Sequence, residues 1–395
     1  MQRRTFLAAT SAAMLFPLGA HAANPSMRVA VIGHTGRGNY GHGLDTMWQK
    51  IDDAQIVALA DADPRGLSLA TKRLGLAHGF DDYRKMLPEV RPDIVAVCPR
   101  HADQHHDMIL AAIHAGAKGI YCEKPFVRTP AEADAILAAA EKQGTKIAVA
   151  HRNRYHPALA HIDALIESEK LGKILELRGK GKGDRRGGGE DLWVLGSHVL
   201  NLFCYFGGGK PKSCSAMMLQ DGRLVTAGDV HDGAEGLGPL AGNEVHARYL
   251  MDNGLVAYYE SIANDGTNGS GYCFEIIGSQ GTVTWHIDRD PVAHFTPGNP
   301  FDPTLAPRQW IPITSAGVGK PETDKPLIQS VHNHVRAGND LIAAMAEDRA
   351  PVCDIHEGAA TVEMICGVFD SHRQGGKSVS FPLVERSNAL SKMKS

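Results

Sequence analysis

Aromatic residues are scarce in this chain, 6% of 395, and its seven cysteines include no Cys-x-x-Cys pair. An odd count without paired spacing argues against a disulfide framework. It also supplies no zinc ligand set, so no metal is expected. Cys98, Cys122, Cys204 and Cys273 sit among apolar or aromatic neighbours, as small buried residues do. Charge of one sign is missing as well. The 41 Lys+Arg against 44 Asp+Glu leave a net −3, which favours neither nucleic acid nor an anionic membrane surface as partner. No apolar run spans a bilayer, and no repeat or low-complexity tract is present. The remaining composition, 43% hydrophobic and 22% charged, is that of a globular protein long enough for two domains.

The first 23 residues read as an export signal rather than as part of the fold. Arg3 and Arg4 precede Phe6-Leu7 and a short apolar stretch broken by Pro17 and Gly19, and Ala20-His21-Ala22 closes it with the small residues of a cleavage site. The paired arginines resemble a twin-arginine signal, with Gln2 where Ser or Thr is usual. That route carries folded proteins, so the expectation is a periplasmic protein exported with its cofactor already bound. No other membrane association is expected.

From residue 27 the pattern alternates. Apolar strands are predicted at 27–32, 56–60, 94–98, 119–122 and 146–150, with a short one near 77–80. Helices are predicted at 64–74, 82–87, 104–115 and 130–143. Repeated β-α-β units of this length imply a parallel, right-handed, doubly wound sheet over 27–151, a dinucleotide-binding Rossmann domain. Beyond a helix at 158–168, β-type runs follow one another at 174–179, 212–219, 244–250, 255–262, 272–277 and 282–287. Consecutive strands imply an α+β second domain, 152–385, with a mostly antiparallel open sheet. Residues 291–326 read as a long loop, followed by helices near 329–347 and 356–373. The basic run 178–186 reads equally as a solvated loop or as a substrate loop.

Two turns carry the chemistry. Gly33-His34-Thr35-Gly36-Arg37-Gly38 follows the first strand, where backbone N–H groups at a helix start can approach a pyrophosphate. Thr35 replaces the middle glycine of the usual G-x-G-x-x-G, and Gly36 restores flexibility one residue later. Asp61, ending the second strand, is placed either to accept from the ribose hydroxyls, favouring NAD over NADP, or to cap the next helix. The second turn, Glu123-Lys124-Pro125, sets a lysine at the carboxyl edge of the sheet, just before a proline that ends the ladder.

Together these resemble the Gfo/Idh/MocA family of NAD(P)-dependent sugar oxidoreductases, and the resemblance covers about 28–385. It implies that Lys124 lies beside the nicotinamide and that the C-terminal helix folds back onto the first domain. It also implies that Pro99 and either His101 or His105 line the nicotinamide ribose, with Glu123 alongside. Residues 187–198 resemble the family's Asp-x-Gly-x-His signature. His198 falls on the histidine, a general acid/base for a sugar hydroxyl, whereas the aspartate falls on Val194. Glu190 and Asp191, one helical turn earlier, are candidates for the missing carboxylate. Arg154 and Tyr155 match an aromatic-rich junction that reaches substrate in the family, and Asp184 is a further substrate candidate.

The expected activity is therefore hydride transfer between a sugar hydroxyl and tightly bound NAD, NADP remaining open, in a homo-oligomer built through the second sheet. Two alternatives stand beside it. One is redox-neutral glycoside cleavage through a transient keto-sugar, which the Glu190-Asp191 pair makes chemically credible. The other is a non-catalytic nucleotide-binding protein, against which the presence of both Lys124 and His198 argues.

Overall fold

A computed structural model describes residues 26–304 and 307–393. The proposed signal at 1–23 lies outside them. Five parallel strands, β1 (Met27–Ile32), β2 (Ala54–Ala60), β3 (Ile94–Val97), β4 (Gly119–Cys122) and β5 (Lys146–Val149), form one sheet in the order β2-β1-β3-β4-β5. Their central residues are buried from both sides: Val29 to Val31, Ile94 to Val97 and Ile120 to Cys122 are all 0% exposed. Apolar cores on each face explain why these strands read as continuous apolar runs rather than as alternating ones. The strand expected near 77–80 is reduced to a single bridge between Ala60 and Phe80, because Gly75, Gly79 and the surrounding polar residues give it little to pack.

The covering helices start where the sequence offers caps. The Asp63 carboxylate accepts from Gly66 N at 2.6 Å to open α1 (Pro64–Leu74), which Gly75 closes in the left-handed region. Thr129 and Asp354 cap α4 (Pro130–Gln143) and α10 (Ile355–Arg373) in the same way. The turn after β1 is not followed by such a helix. Residues 35–45 are turns, and only a 3-10 segment, Thr46–Lys50, precedes β2. The sequence there, with Gly33, Gly36, Gly38, Gly41 and Gly43, is too glycine-rich to sustain a helix.

The second domain is built on an 11-stranded sheet. It is antiparallel except where β6 (Ile174–Lys180) runs parallel to Val256–Ile262. Ala293–Pro297 and Ile311–Thr314, inside the segment expected to be a loop, extend this sheet toward one end, where only the two-residue strand Gly317–Val318 lies beyond them. The helix expected at 329–347 is instead two, α8 (Lys325–His332) and α9 (Val335–Ala346), separated at His334, whose φ is +64°. The helix α10 meets the first domain: Val149 N donates to the Cys353 carbonyl just before it. Beyond residue 385, Arg386 O accepts from Ala131 N and its guanidinium bonds Asp134 at 2.5 Å. No described helix is long and apolar enough to cross a membrane.

Candidate active site

Lys124 is 6% exposed at the end of β4. Its Nζ donates to the carbonyl of Val194 at 2.8 Å, so the position that lacks the signature's carboxylate serves the lysine through its main chain. Burial lowers the lysine pKa, with Arg100 and Arg186 acting in the same direction and Glu123 opposing. Glu123 is wholly buried. Its Oε2 accepts from Lys124 N at 2.7 Å, and its Oε1 accepts from His42 N at 3.1 Å and bonds the His42 ring. Burial would raise this carboxyl, but the His42 bonds and the charge of Lys124 outweigh it and hold the pKa at about 2. Gly41 makes the His42 contact possible: a Cβ there would lie 2.6 Å from Cys98 O and 2.7 Å from Glu123 Oε1.

A cavity of about 190 Å³ opens beside the lysine, lined by His42, Lys124, Arg152, His198, Tyr272 and His334 together with Ala150, Leu195 and Asp288. Lys124 and His198, carried by different domains, thus share one cavity. His198 lies on α7 (Gly196–Phe206), and its Nδ1 is buried without a partner. Burial, then the charge of Lys124, drives its pKa well below 6.5, so the ring is neutral. It stands edge-on to His151, with ring centroids 5.5 Å apart. Arg152 is fixed by Asp288 at 2.7 Å, and Tyr272 donates to Leu195 O at 2.8 Å.

A second cavity, about 470 Å³, lies at the carboxyl ends of β1 and β2, the place where a doubly wound fold holds a dinucleotide. Gly33, Arg37 and Asp61 line it, along with Asp81, Asp82, Arg84, Asp103 and Asp107. The Asp61 carboxylate is already occupied. It accepts from Thr35 N at 3.0 Å, Thr35 Oγ1 at 2.7 Å, Tyr40 Oη at 2.7 Å and Asp63 N at 3.0 Å, four donors for its four lone-pair sites. Asp61 therefore organises the glycine turn, and a ribose hydroxyl would have to displace one of these donors. Gly36 N is spent on the Asn39 side chain, and Arg37 pairs with Asp103 at 2.5 Å. Gly38, at φ +89°, packs directly on the next loop: a Cβ would meet Arg100 N at 2.3 Å. One cavity thus lies at the carboxyl ends of β1 and β2 and the other beside Lys124 at the end of β4, both on the sheet edge where a doubly wound fold holds a dinucleotide. The cradle between them is a backbone turn rather than a helix start.

Several expected site residues serve other purposes. His105 is 0% exposed. Its Nδ1 lies 2.9 Å from the carbonyls of Pro125 and Phe126, and its Nε2 lies 2.6 Å from that of Pro99. It clamps the Lys124 turn to the Pro99 loop instead of lining a ribose. His101 lies nearer the glycine turn, with an unpartnered Nδ1. Arg154 bonds Glu357 of α10 and lies 4.4 Å over the Tyr205 ring, while Tyr155 Oη reaches Asp340 at 3.3 Å. Both lock helices together. Asp184 pairs with Arg186 at 2.6 Å. Asp191, on α6 (Gly189–Val194), accepts from Ser261 at 2.5 Å, and burial raises its pKa to about 6. Neither Asp191 nor Glu190 lines the Lys124 cavity. Among the residues that do line it and were not expected, His42, Asp288 and His334 come from turns and helix starts that carry no recognisable spacing, and Tyr272 precedes a strand.

Residues 27–151 match the Gfo/Idh/MocA family model, an oxidoreductase family with an NAD-binding Rossmann fold, and this segment is an NAD-binding Rossmann domain. Among curated proteins, D-apiose dehydrogenase of Paraburkholderia graminis is 34% identical over 125 residues, 32% of this chain and 33% of that protein. D-glucoside 3-dehydrogenase of Escherichia coli is 28% identical over 148 residues, 38% of this chain and 41% of that protein. The chain thus aligns with well under half of the length of these relatives. Solved structures extend the likeness of fold. Levoglucosan dehydrogenase, in complex with NADH and levoglucosan, superposes with a TM-score of 0.70 at 19% identity, covering 90% of this chain and 100% of that one.

Proposed function

We propose that this protein is an exported NAD-dependent oxidoreductase that acts on a carbinol of a sugar or sugar derivative. The observation that carries the reading is the meeting of Lys124 and His198 in one buried cavity at the carboxyl edge of an NAD-binding sheet. The dehydrogenases named above, which act on apiose, glucosides and levoglucosan, support the sugar class. Bound NAD supplies the hydride acceptor. The protein's own residues manage the proton and the charge. Neutral His198 accepts the hydroxyl proton. The Lys124 ammonium, held by Val194 O, donates to the oxygen as negative charge develops there. Glu123 stays ionised at neutral pH, fixes the lysine main chain and balances its charge. The Glu190-Asp191 pair that favoured glycoside cleavage lies outside the cavity, which leaves that alternative without its carboxylates. A panel of aldoses, inositols and glycosides, each supplied with NAD⁺ and followed by nicotinamide reduction, tests the reading; reduction with none of them would overturn it.

The protonation states set a pH profile. Oxidation requires neutral His198 and charged Lys124. The acid limb of turnover should therefore fall well below 6.5, and the alkaline limb below the usual lysine value of 10.5. An acid limb at the ordinary histidine value would show that His198 is not the proton acceptor.

NAD is the expected cofactor rather than NADP. Five carboxylates against two guanidiniums line the β1–β2 cavity, and Arg37 and Arg84 are both engaged by those carboxylates. A 2′-phosphate there meets net negative charge, so NADP should bind about tenfold more weakly or worse. Equal affinities by titration calorimetry would refute this.

Export rests on the N-terminal arginines. Arg3→Lys together with Arg4→Lys should hold the protein in the cytoplasm, and unchanged periplasmic recovery on fractionation would exclude the twin-arginine route.

A further inference from the structure

His334 stands apart from the other cavity histidines. It comes from neither catalytic turn, and it holds a left-handed backbone, φ +64°, that a non-glycine residue rarely adopts. Its Nδ1 lies 2.7 Å from Tyr121 Oη, both groups being buried. The Tyr121 hydroxyl has no other hydrogen-bond partner among the described residues, so only donation to Nδ1 satisfies its proton. That fixes the tautomer: Nδ1 accepts, and the hydrogen sits on Nε2. Burial lowers the pKa of this ring to about 4, so it remains neutral at physiological pH. Nε2 is then a buried N–H donor without a partner, on a residue that is 3% exposed and lines the Lys124 cavity. An orphaned buried donor costs free energy unless something in the cavity accepts from it.

We propose that His334 is a specificity-determining residue whose Nε2–H donates to a second oxygen of the substrate, adjacent to the carbinol held by Lys124 and His198. The inference rests on the oxidoreductase reading and narrows it to substrates with oxygens on neighbouring carbons, a vicinal diol or a ring oxygen beside the reacting carbinol. Simple alcohols fail to fill this donor and are rejected. Tyr121 is the positioning residue, since it sets which nitrogen carries the hydrogen.

His334→Asn isolates the donor. Asparagine tolerates the left-handed backbone, and its carbonyl can still accept from Tyr121, but it presents no second ring nitrogen to the cavity. The probes are D-glucose, myo-inositol and levoglucosan, together with the monodeoxy counterparts of whichever is oxidised fastest. The native protein should prefer the parent over the counterpart lacking the neighbouring oxygen by about 10²-fold or more in kcat/KM, and His334→Asn should shrink that preference to within about tenfold. Retention of the full preference in the variant would overturn the proposal. ¹⁵N NMR of histidine-labelled native protein gives an independent answer. The His334 ring, identified by its loss in the variant, should carry its hydrogen on Nε2, and a hydrogen on Nδ1 would overturn the proposal whatever the kinetics. Failure of every sugar to reduce NAD⁺ would instead sink the oxidoreductase reading, while the tautomer measurement still decides the donor.

Discussion

Lys124→Ala should lower sugar turnover by about 10²–10⁴-fold and leave bound NAD in place, the range expected on losing a positioned oxyanion or proton-transfer group. The size follows from the surroundings of the lysine. The residue is 6% exposed, its ammonium is tethered to Val194 O at 2.8 Å, and it is backed by a carboxylate that remains ionised at neutral pH. In such a site water cannot replace it as donor without reorganising. Cofactor retention is expected because the lysine ammonium bonds Val194 O and lines neither the glycine turn nor the β1–β2 cavity. Absorbance and mass analysis of the purified variant measure retention, and steady-state kinetics measure turnover. Loss of NAD along with activity would mean that the lysine holds the cofactor rather than the reacting oxygen.

Stability should collapse in mild acid. His151, His156 and His334 are 1%, 5% and 3% exposed, and burial depresses their pKa values to about 3, 4 and 4. Each is neutral when folded and takes up a proton at its ordinary value of 6.5 when unfolded. Their contribution is therefore complete above that value and is lost as pH falls toward the folded values. Asp191, raised to about 6, works in the opposite sense, because the folded form binds its proton first. The three histidines, with His198 depressed in the same direction, against Asp191 leave at least about two extra protons on the unfolded chain near pH 5. That is about 3 kcal/mol or more of stability lost per pH unit. Across two units that approaches the whole stability of a typical domain, 5–15 kcal/mol. Thermal melts at pH 7.5 and pH 5 should show a large drop in Tm at the lower pH; equal values would mean that these histidines are not held neutral.

Much of this was legible in the sequence. Apolar runs, capping residues and glycines at helix ends gave the alternation of the first domain, because a strand buried on both faces leaves an unambiguous pattern. Lys124 and His198 could be singled out because each sits in a local motif. The failures share a cause: they concern contacts made by the tertiary fold. Nothing local tells that Asp61 spends its oxygens on Thr35, Tyr40 and Asp63, or that His105 clamps three carbonyls. Arg154 looked like a substrate ligand until Glu357, some two hundred residues on, proved to be its partner. His334 reaches the cavity from beyond the second sheet, and nothing local marks it, because it falls inside the pattern read as a single helix at 329–347. The strands at 293–297 and 311–314 were hidden by Pro291, Pro297 and Pro312, which read as loop residues.

The account turns on Lys124 and His198 acting together on one hydroxyl, and a double-mutant cycle tests that directly. Nicotinamide reduction would be followed in the native protein, Lys124→Ala, His198→Ala and the double variant, with the fastest sugar of the panel. Groups that act as a unit are far from additive, so the double variant should be only slightly slower than the slower single one. Losses that multiply, or full activity in either single variant, would contradict a shared site of action.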